Sequence, residues 1–476
     1  MPMNAAYRPD TRFATLGAEF ADSVQPAAFP QTLLRYRNQR AATSVGLDGL
    51  SDPEWLAHFG RFEPLPNAQP APLALRYHGH QFRTYNPDLG DGRGFLFAQL
   101  RDDQGRLLDL GTKGSGQTPW SRQGDGRLTL KGGVREVLAT AMLEAQGVPT
   151  SKSFSLVETG ENLQRNDEPS PTRSAVLTRL SFSHIRFGTF QRLAFHSQTE
   201  LMTRLINHVV ETYQLDLLVY EGAARAVAWL ERVVELSAHL VGRWMTAGFV
   251  HGVLNTDNMN INGESFDYGP YRFLPKNDPN FVAAYFDHSG LYSFGRQPEA
   301  VFWNLQQLGA CLALLMDDHP PLLDALGRFG PAYQAALRGS MLARLGVLPS
   351  SVEEDSALAG AAFRALAEGG AALRWEPFFF DWFGGPASER RALTGPRAEV
   401  YREPAAIEFR QRLAAYQIDR PERLDAAYFA RVEPQELLYD EIEALWAAIA
   451  ERDDWSPFMA KLARLDEARV AMALRP

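Results

Sequence analysis

The chain has 476 residues, 45% of them hydrophobic and 22% charged. That is ordinary globular composition, enough to bury a large core without disulfide or metal staples. A net charge of −9 argues against general binding to nucleic acid or an acidic membrane surface. The single cysteine, Cys311, excludes an internal disulfide; with no secretory leader or long uncharged apolar run in view, a cytoplasmic protein is expected.

Residues 1–75 are irregular and proline-rich, as in EPLPNAQPAPLAL, and read as an extension packed on the rest. From Gly92 the stretch GRGFLFAQLRDDQGRLLDLGTKG predicts a strand, a turn at Asp102–Gly105 and a second strand. GGVREVLATAMLEAQGV predicts an amphipathic helix, with Val134, Leu138, Met142 and Leu143 on one side and Gly147 as its stop. KSFSLVETG and SAVLTRLSF are short strand candidates, so Gly92 to about Phe190 reads as a sheet with one prominent helix. Past about Gln198 the period becomes helical, in TELMTRLINHVVETYQL, AARAVAWLERVVELSAHLVGRWMTAG and EAVFWNLQQLGACLALLM. Further helices are expected near 320–345, 355–368, 404–417, 434–451 and 455–468, with WEPFFFDWFGG as core. Cys311, in an apolar helical run, reads as a small core residue.

Chemistry concentrates in HGVLNTDNMNINGESFDYGP, His251–Pro270. It has the form of a kinase catalytic loop followed by its metal-binding element, with Asn258 and the triplet Asp267-Tyr268-Gly269. Val253 stands where a kinase carries its catalytic aspartate, and Asp257 is the nearest carboxylate that could replace it. Asn258 and Asp267 offer the oxygen ligands that Mg²⁺ or Mn²⁺ takes while holding phosphates; a plain polar turn would use the same residue types.

Upstream, Lys113 ends a predicted strand and Glu136 lies 23 residues on, in the first turn of the predicted helix. A kinase pairs such a lysine and glutamate to grip phosphates. LGDGRG offers Gly90, Gly92 and Gly94 with Arg93, and RQGDGR offers Asp125 and Gly126; glycine loops let backbone amides approach an anion. Arg179 and Arg186 flank LSFSHI among apolar neighbours, where a buried guanidinium needs either a phosphate or a carboxylate. His78 and His80 in YHGHQF lack the further ligands of a zinc site. No P-loop and no Gly-x-Ser-x-Gly elbow occurs.

Taken together, YHGHQF, LGDGRG, DLGTKGSGQTPWSRQGDGRLTLKGGVREVL, VLTRLSFSHIRFGTF, HGVLNTDNMNI, DYGPYRF and YSFGRQPEAVFWNL resemble the SelO/YdiU family of pseudokinase-like protein adenylyltransferases, over most of residues 70–315. The resemblance implies an α+β, protein-kinase-like bilobal fold: a small β-rich N-lobe with one key helix (76–197), a large helical C-lobe (198–476), and residues 1–75 packed on the lobes. It implies transfer of AMP from ATP to Ser, Thr or Tyr hydroxyls of proteins with loss of pyrophosphate, the nucleotide lying reversed so that its α-phosphate faces the acceptor. Lys113, Arg179 and Arg186 would hold the leaving phosphates, with Glu136 orienting Lys113. Gly90, Gly92, Arg93, Asp125, Gly126 and Asp267 would line the nucleotide pocket, Asn258 and Asp267 would hold Mg²⁺ or Mn²⁺, and Asp257 would accept the proton. The partners are ATP and protein substrates, the chain's own hydroxyls among them, with neither nucleic acid nor membrane. Three other readings stay open: a uridylyltransferase using UTP, a kinase using Asp257, and a nucleotide-binding scaffold. The chain departs from relatives in ending MALRP without a cysteine or selenocysteine, and in having no cysteine just before AAYFDHSGLYSF.

Overall fold

The computed structural model describes residues 4–166 and 168–474. Its strands are β1 (Pro9–Asp10), β2 (Ala21–Ser23), β3 (Leu33–Arg37), β4 (Leu73–Leu75), β5 (Gly79–Gln81), β6 (Thr84–Asn86), β7 (Leu96–Arg101), β8 (Leu107–Lys113), β9 (Leu128–Thr129), β10 (Lys152–Leu163), β11 (Thr172–Ser181), β12 (Phe249–Val250) and β13 (Arg272–Phe273). Nine of them form one sheet in the order β2-β4-β7-β8-β11-β10-β3, with β1 on β7 and β9 on β11. Helices follow from residue 187 onward, so the expected order, sheet first and helices after, is what the chain adopts.

The central hairpin forms where the pattern predicts it. Asp102 closes its turn: its Oδ1 accepts the backbone N–H of Gln104 at 3.0 Å and of Arg106 at 2.8 Å, the side-chain-to-backbone bonding that makes aspartate a turn residue. Gly105 supplies the positive φ of 80°. All seven residues of β8 are buried, which requires cover on both faces. One face of the sheet is covered by the helix Leu130–Ala145, which packs on β10 and β11, is capped by the Thr129 side chain, and has Val134, Leu138, Met142 and Leu143 all buried. Burying such a side chain contributes roughly 1.5–3 kcal/mol.

The sheet is wider than Gly92–Phe190 suggests. Strands β1–β4 come from before residue 76, and a helix, Phe187–Phe195, begins inside the expected sheet segment. Strands of two to five residues are too short to show a period-2 pattern. The Phe187–Phe195 helix has seven of its nine residues buried, so it lacks the polar face that marks a surface helix.

The helical part is built on Gly222–Ala247, which packs against Phe329–Leu345, Pro320–Gly327 and Gln297–Leu312. Gly248, in the left-handed conformation, ends it and hands the chain to β12 and the following loop. WEPFFFDW becomes the helix Trp375–Trp382, with all eight residues buried. Cys311 is buried and donates to the Gln307 carbonyl. The final helix, Ser456–Met472, returns to pack on Leu130–Ala145. Among the described residues, no helix is long and apolar enough to cross a membrane.

Candidate active site

A cleft of about 720 Å³ opens between the sheet and the helical part. One wall is the loop Leu89–Gly94 with the end of β8; a second is the loop after β8, Trp120–Arg127; the floor carries Arg179, Arg186, Val253, Asp257, Asn258 and Asp267. Every residue that the sequence assigns to the nucleotide, metal and proton-acceptor roles lies on this cleft; Glu136 stands behind Lys113.

At its deep end, Lys113 at the end of β8 forms an ion pair with Glu136 in the first turns of Leu130–Ala145, and reaches Asp267 Oδ1 at 3.0 Å. Arg179 in β11 donates to the same Oδ1 at 3.3 Å and lies 4.0 Å from Glu136. Arg186 pairs with Asp91 at 3.2 Å and approaches Asp267 Oδ2 at 3.8 Å. Three cations thus meet three carboxylates, and Asp267 touches all three cations. Lys113 first, then Arg179 and Arg186, hold the Asp267 carboxyl well below the usual range against a large opposing effect of burial. Asp267 takes φ 65°, a region a non-glycine residue enters at a cost.

The two arginines answer the alternatives left by the sequence: each has a carboxylate, yet neither is saturated. Arg179 Nε and Arg186 Nε are buried without a hydrogen-bond partner. Arg186 also lies over the Tyr77 and Phe266 rings, at 4.5 and 5.2 Å from their centroids, so it is held flat by cation–π contacts as well as charge. Asp91, Tyr77 and Phe266 were missed in the sequence. Asp91 lies between Gly90 and Gly92, where an aspartate reads as a turn residue; Tyr77 and Phe266 carry no local signal.

Nearer the mouth, the turn Thr256–Asn258 is fixed from outside by the β5–β6 hairpin. His80 N–H donates to Thr256 Oγ1 at 2.7 Å and Phe82 N–H to Asn255 Oδ1 at 3.0 Å. The rings of YHGHQF are structural: His78 Nδ1 bonds Tyr85 at 2.8 Å and His80 Nδ1 bonds Gln191 at 2.7 Å. Gly79 makes room for Asp257, since a Cβ there would lie 3.1 Å from Asp257 Oδ1. That oxygen is buried with no partner, and burial pushes the Asp257 carboxyl up to about 7.

Asn258 Nδ2 donates to the Val253 carbonyl at 3.0 Å, which commits the amide nitrogen and leaves Oδ1 as a free oxygen donor. Asp267 supplies a second hard oxygen across the same floor. The pair fits Mg²⁺ or Mn²⁺, which take few protein ligands and fill the remaining positions with water and phosphate. Among the described residues no cluster of three or more His, Cys, Asp or Glu suits a metal, so a site made entirely of protein ligands is not the pattern here.

The glycines act mainly on the walls. A Cβ on Gly90 would fall 2.4 Å from the Trp120 ring, and Gly126, at φ 70°, would put one 2.3 Å from the Gly116 backbone. Gly90 lets the two loops close on each other, and Gly126 lets the loop after β8 close on itself. Asp125 sits at the outer rim, bonding Arg165 at 2.7 Å and capping Arg127 N–H at 2.9 Å. Arg93 lines the cleft and its charge acts on Asp267.

The family model for protein adenylyltransferase SelO matches residues 3–466. The protein nucleotidyltransferase YdiU of Synechocystis sp. is 44% identical over 479 residues, covering 96% of this chain and 97% of the relative. That of Trichodesmium erythraeum is 42% identical over 457 residues, covering 93% and 95%. That of Pseudomonas putida is 39% identical over 363 residues, covering 76% and 73%. With a buried lysine–glutamate pair, a cation cluster and hard oxygen donors on one cleft, and with a match across nearly its whole length, the chain belongs to the SelO family of protein adenylyltransferases.

Proposed function

We propose that this enzyme transfers AMP from ATP to Ser, Thr or Tyr hydroxyls of proteins, with the nucleotide lying tail-inward in a two-lobed, protein-kinase-like cleft. The observation that carries the reading is the deep cluster of Lys113, Arg179 and Arg186 together with Val253 in place of a kinase's aspartate. A triphosphate tail is the group that three cations deep in a cleft would draw in. A base at Val253 would serve attack on a γ-phosphate at the mouth; with the tail inward, the α-phosphate takes that place and Asp257 is the nearest carboxylate.

In this reading Lys113, Arg179 and Arg186 neutralise the departing pyrophosphate, which phosphoryl-type transfer requires more than covalent help. Glu136 keeps Lys113 aimed. Gly90, Gly92, Arg93, Asp125 and Gly126 form the walls around the nucleotide. Asn258 and Asp267 would hold Mg²⁺ or Mn²⁺, which would supply positive charge against the negative charge of the phosphates. Asp257 accepts the proton of the incoming hydroxyl.

The printed name of the YdiU relatives, nucleotidyltransferase, does not specify a base, and no cleft residue above selects a purine, so UTP is the second reading. The test is labelling of protein from ATP marked at the α- or the γ-phosphate, with Mg²⁺ or Mn²⁺, and from α-marked UTP. Label from α-marked ATP supports adenylyl transfer; label from γ alone identifies a kinase; preference for UTP identifies a uridylyltransferase; no label in any arm points to a scaffold.

A further inference from the structure

Six arginines line the cleft: Arg93, Arg122, Arg127, Arg165, Arg179 and Arg186. Four are committed to carboxylates, since Arg127 pairs with Glu161 at 2.8 Å and Arg165 with Asp125 at 2.7 Å, beside the two deep pairs. Among the described residues, Arg93 and Arg122 form no ion pair. Arg93 belongs to the nucleotide wall already assigned. Arg122 has no role in the account so far.

Its setting is unusual for an exposed arginine. Arg122 takes φ 55°, a left-handed conformation that costs a non-glycine residue roughly 1–3 kcal/mol and persists only where the surroundings enforce it. The surroundings do so. Thr118 Oγ1 donates to the Asp91 carbonyl at 2.5 Å and Ser121 Oγ to the Gly92 carbonyl at 2.5 Å. Gly124 N–H donates to the Ser121 carbonyl at 2.7 Å, and Trp120 Nε1 donates to Asp22 at 2.9 Å. The loop is thus stapled to the glycine wall just before Arg122, and a turn closes across that residue. The side chain lines the cleft and also an open groove beside it, shared with Asp88, Pro119, Trp120 and Gln123. Asp257 lines the same cleft, and the Arg122 charge is the least of the influences on its carboxyl, opposing the upward push of burial.

We propose that Arg122 is a further catalytic residue, whose guanidinium engages the non-bridging oxygens of the phosphorus under attack. The inference rests on the adenylyl-transfer reading above. In that reaction the acceptor oxygen forms a bond to the α-phosphorus. The bond from that phosphorus to the oxygen bridging to the β-phosphate breaks, and pyrophosphate leaves with the electron pair. The hydroxyl proton passes to Asp257. Negative charge grows on the non-bridging α-oxygens, at the point where acceptor and Asp257 meet. Lys113, Arg179 and Arg186 are each held by a carboxylate at the deep end. Arg122 lines the same cleft as Asp257 without a carboxylate partner, on a loop that already bears the strain of presenting it. A donor fixed in advance where charge develops accelerates the step rather than tightening binding.

The test uses the full chain and steady-state transfer to a protein acceptor, with ATP and with each of the two ATP diastereomers carrying sulfur at a non-bridging α-oxygen. Arg122→Gln is expected to lower kcat by ~10²-fold or more while changing the KM for ATP by less than ~3-fold. In the wild type one sulfur diastereomer reacts more slowly than the other, and in Arg122→Gln that difference shrinks; Arg122→Lys recovers part of the rate. A raised KM for ATP or for the acceptor with unchanged kcat overturns the proposal, as does the same sulfur effect in both proteins. If the wild type transfers the γ-phosphate and is indifferent to α-sulfur, the adenylyl reading itself has failed and the role of Arg122 falls with it. Thermal melting of each variant confirms that it is folded.

Discussion

Replacing Asp267 by Asn isolates the balance of charge at the deep end of the cleft. The wild type sets Lys113, Arg179 and Arg186 against Glu136, Asp91 and Asp267, and Asp267 alone contacts all three cations. The substitution leaves one positive charge in excess among side chains at most 6% exposed on the cationic side. Breaking a buried ion pair costs about 3–5 kcal/mol; Asp267 keeps 23% of its side chain exposed, so the lower end applies. With an unfolding entropy of about 2.1 cal/mol/K per residue, 476 residues lose about 1 °C of Tm per kcal/mol, hence a fall of about 3 °C. The nucleotide response should invert. In the wild type the Asp267 carboxylate competes with phosphate for the cations, so ATP raises Tm well only with a divalent cation. In Asp267→Asn, ATP alone should raise Tm, while label transfer from α-marked ATP is lost. Melting with ATP in Mg²⁺ and in chelator, beside a labelling assay, reads both. A variant that melts like the wild type, ignores metal-free ATP and still labels would refute the charge balance and the metal assignment together.

Asp257→Asn should lower transfer by ~10²–10⁴-fold while ATP still raises the melting temperature; loss of that thermal response would move Asp257 from proton acceptor to nucleotide ligand. Gly94→Ala would put a Cβ 2.1 Å from the Thr112 carbonyl oxygen, forcing β7 and β8 apart just before Lys113. It should cost roughly 1–3 kcal/mol by urea denaturation and reduce labelling, and a neutral result would show that the strands can yield there. The buried imidazoles should weigh against stability in mild acid. Burial holds His78 and His208 at about 4, below the ordinary 6.5, so between those values the unfolded chain binds protons that the folded chain refuses. Asp257 and Glu264, raised to about 7 by burial, act the opposite way over the same range, so the urea midpoint of His208→Leu relative to the wild type is the readout: it should rise as pH falls from 6.5 toward 4, and a difference independent of pH would contradict the burial of the His208 ring.

What could be read from the sequence was local. The hairpin around Asp102, the helix carrying Glu136 and the long helices after residue 198 follow from turn chemistry and from periods that repeat within a dozen residues. Residues such as Lys113, Glu136, Asn258 and Asp267 could be picked out because the resemblance fixes their order and spacing. Other features depend on contacts between segments far apart in the chain. Strands β1–β4 are held by pairing with distant partners, and two to five residues leave no pattern of their own. Asp91 becomes an ion-pair partner only because the segment after β11 delivers Arg186 to it. The room for Asp257 depends on an absent side chain at Gly79, which no local pattern announces. Gly90 and Gly126 stood out as anion-binding glycines, yet their tightest constraints are Trp120 and the Gly116 backbone.

The orientation of the nucleotide is most directly measured by a crystal structure of the protein with Mg²⁺ and an ATP analogue whose α–β bridge is a methylene group, which blocks the proposed cleavage. The β- and γ-phosphates should lie within hydrogen-bonding distance of Lys113, Arg179 and Arg186, and the α-phosphate between Arg122 and Asp257. A purine ring seated among the three deep cations, with the γ-phosphate at the mouth, would contradict that placement.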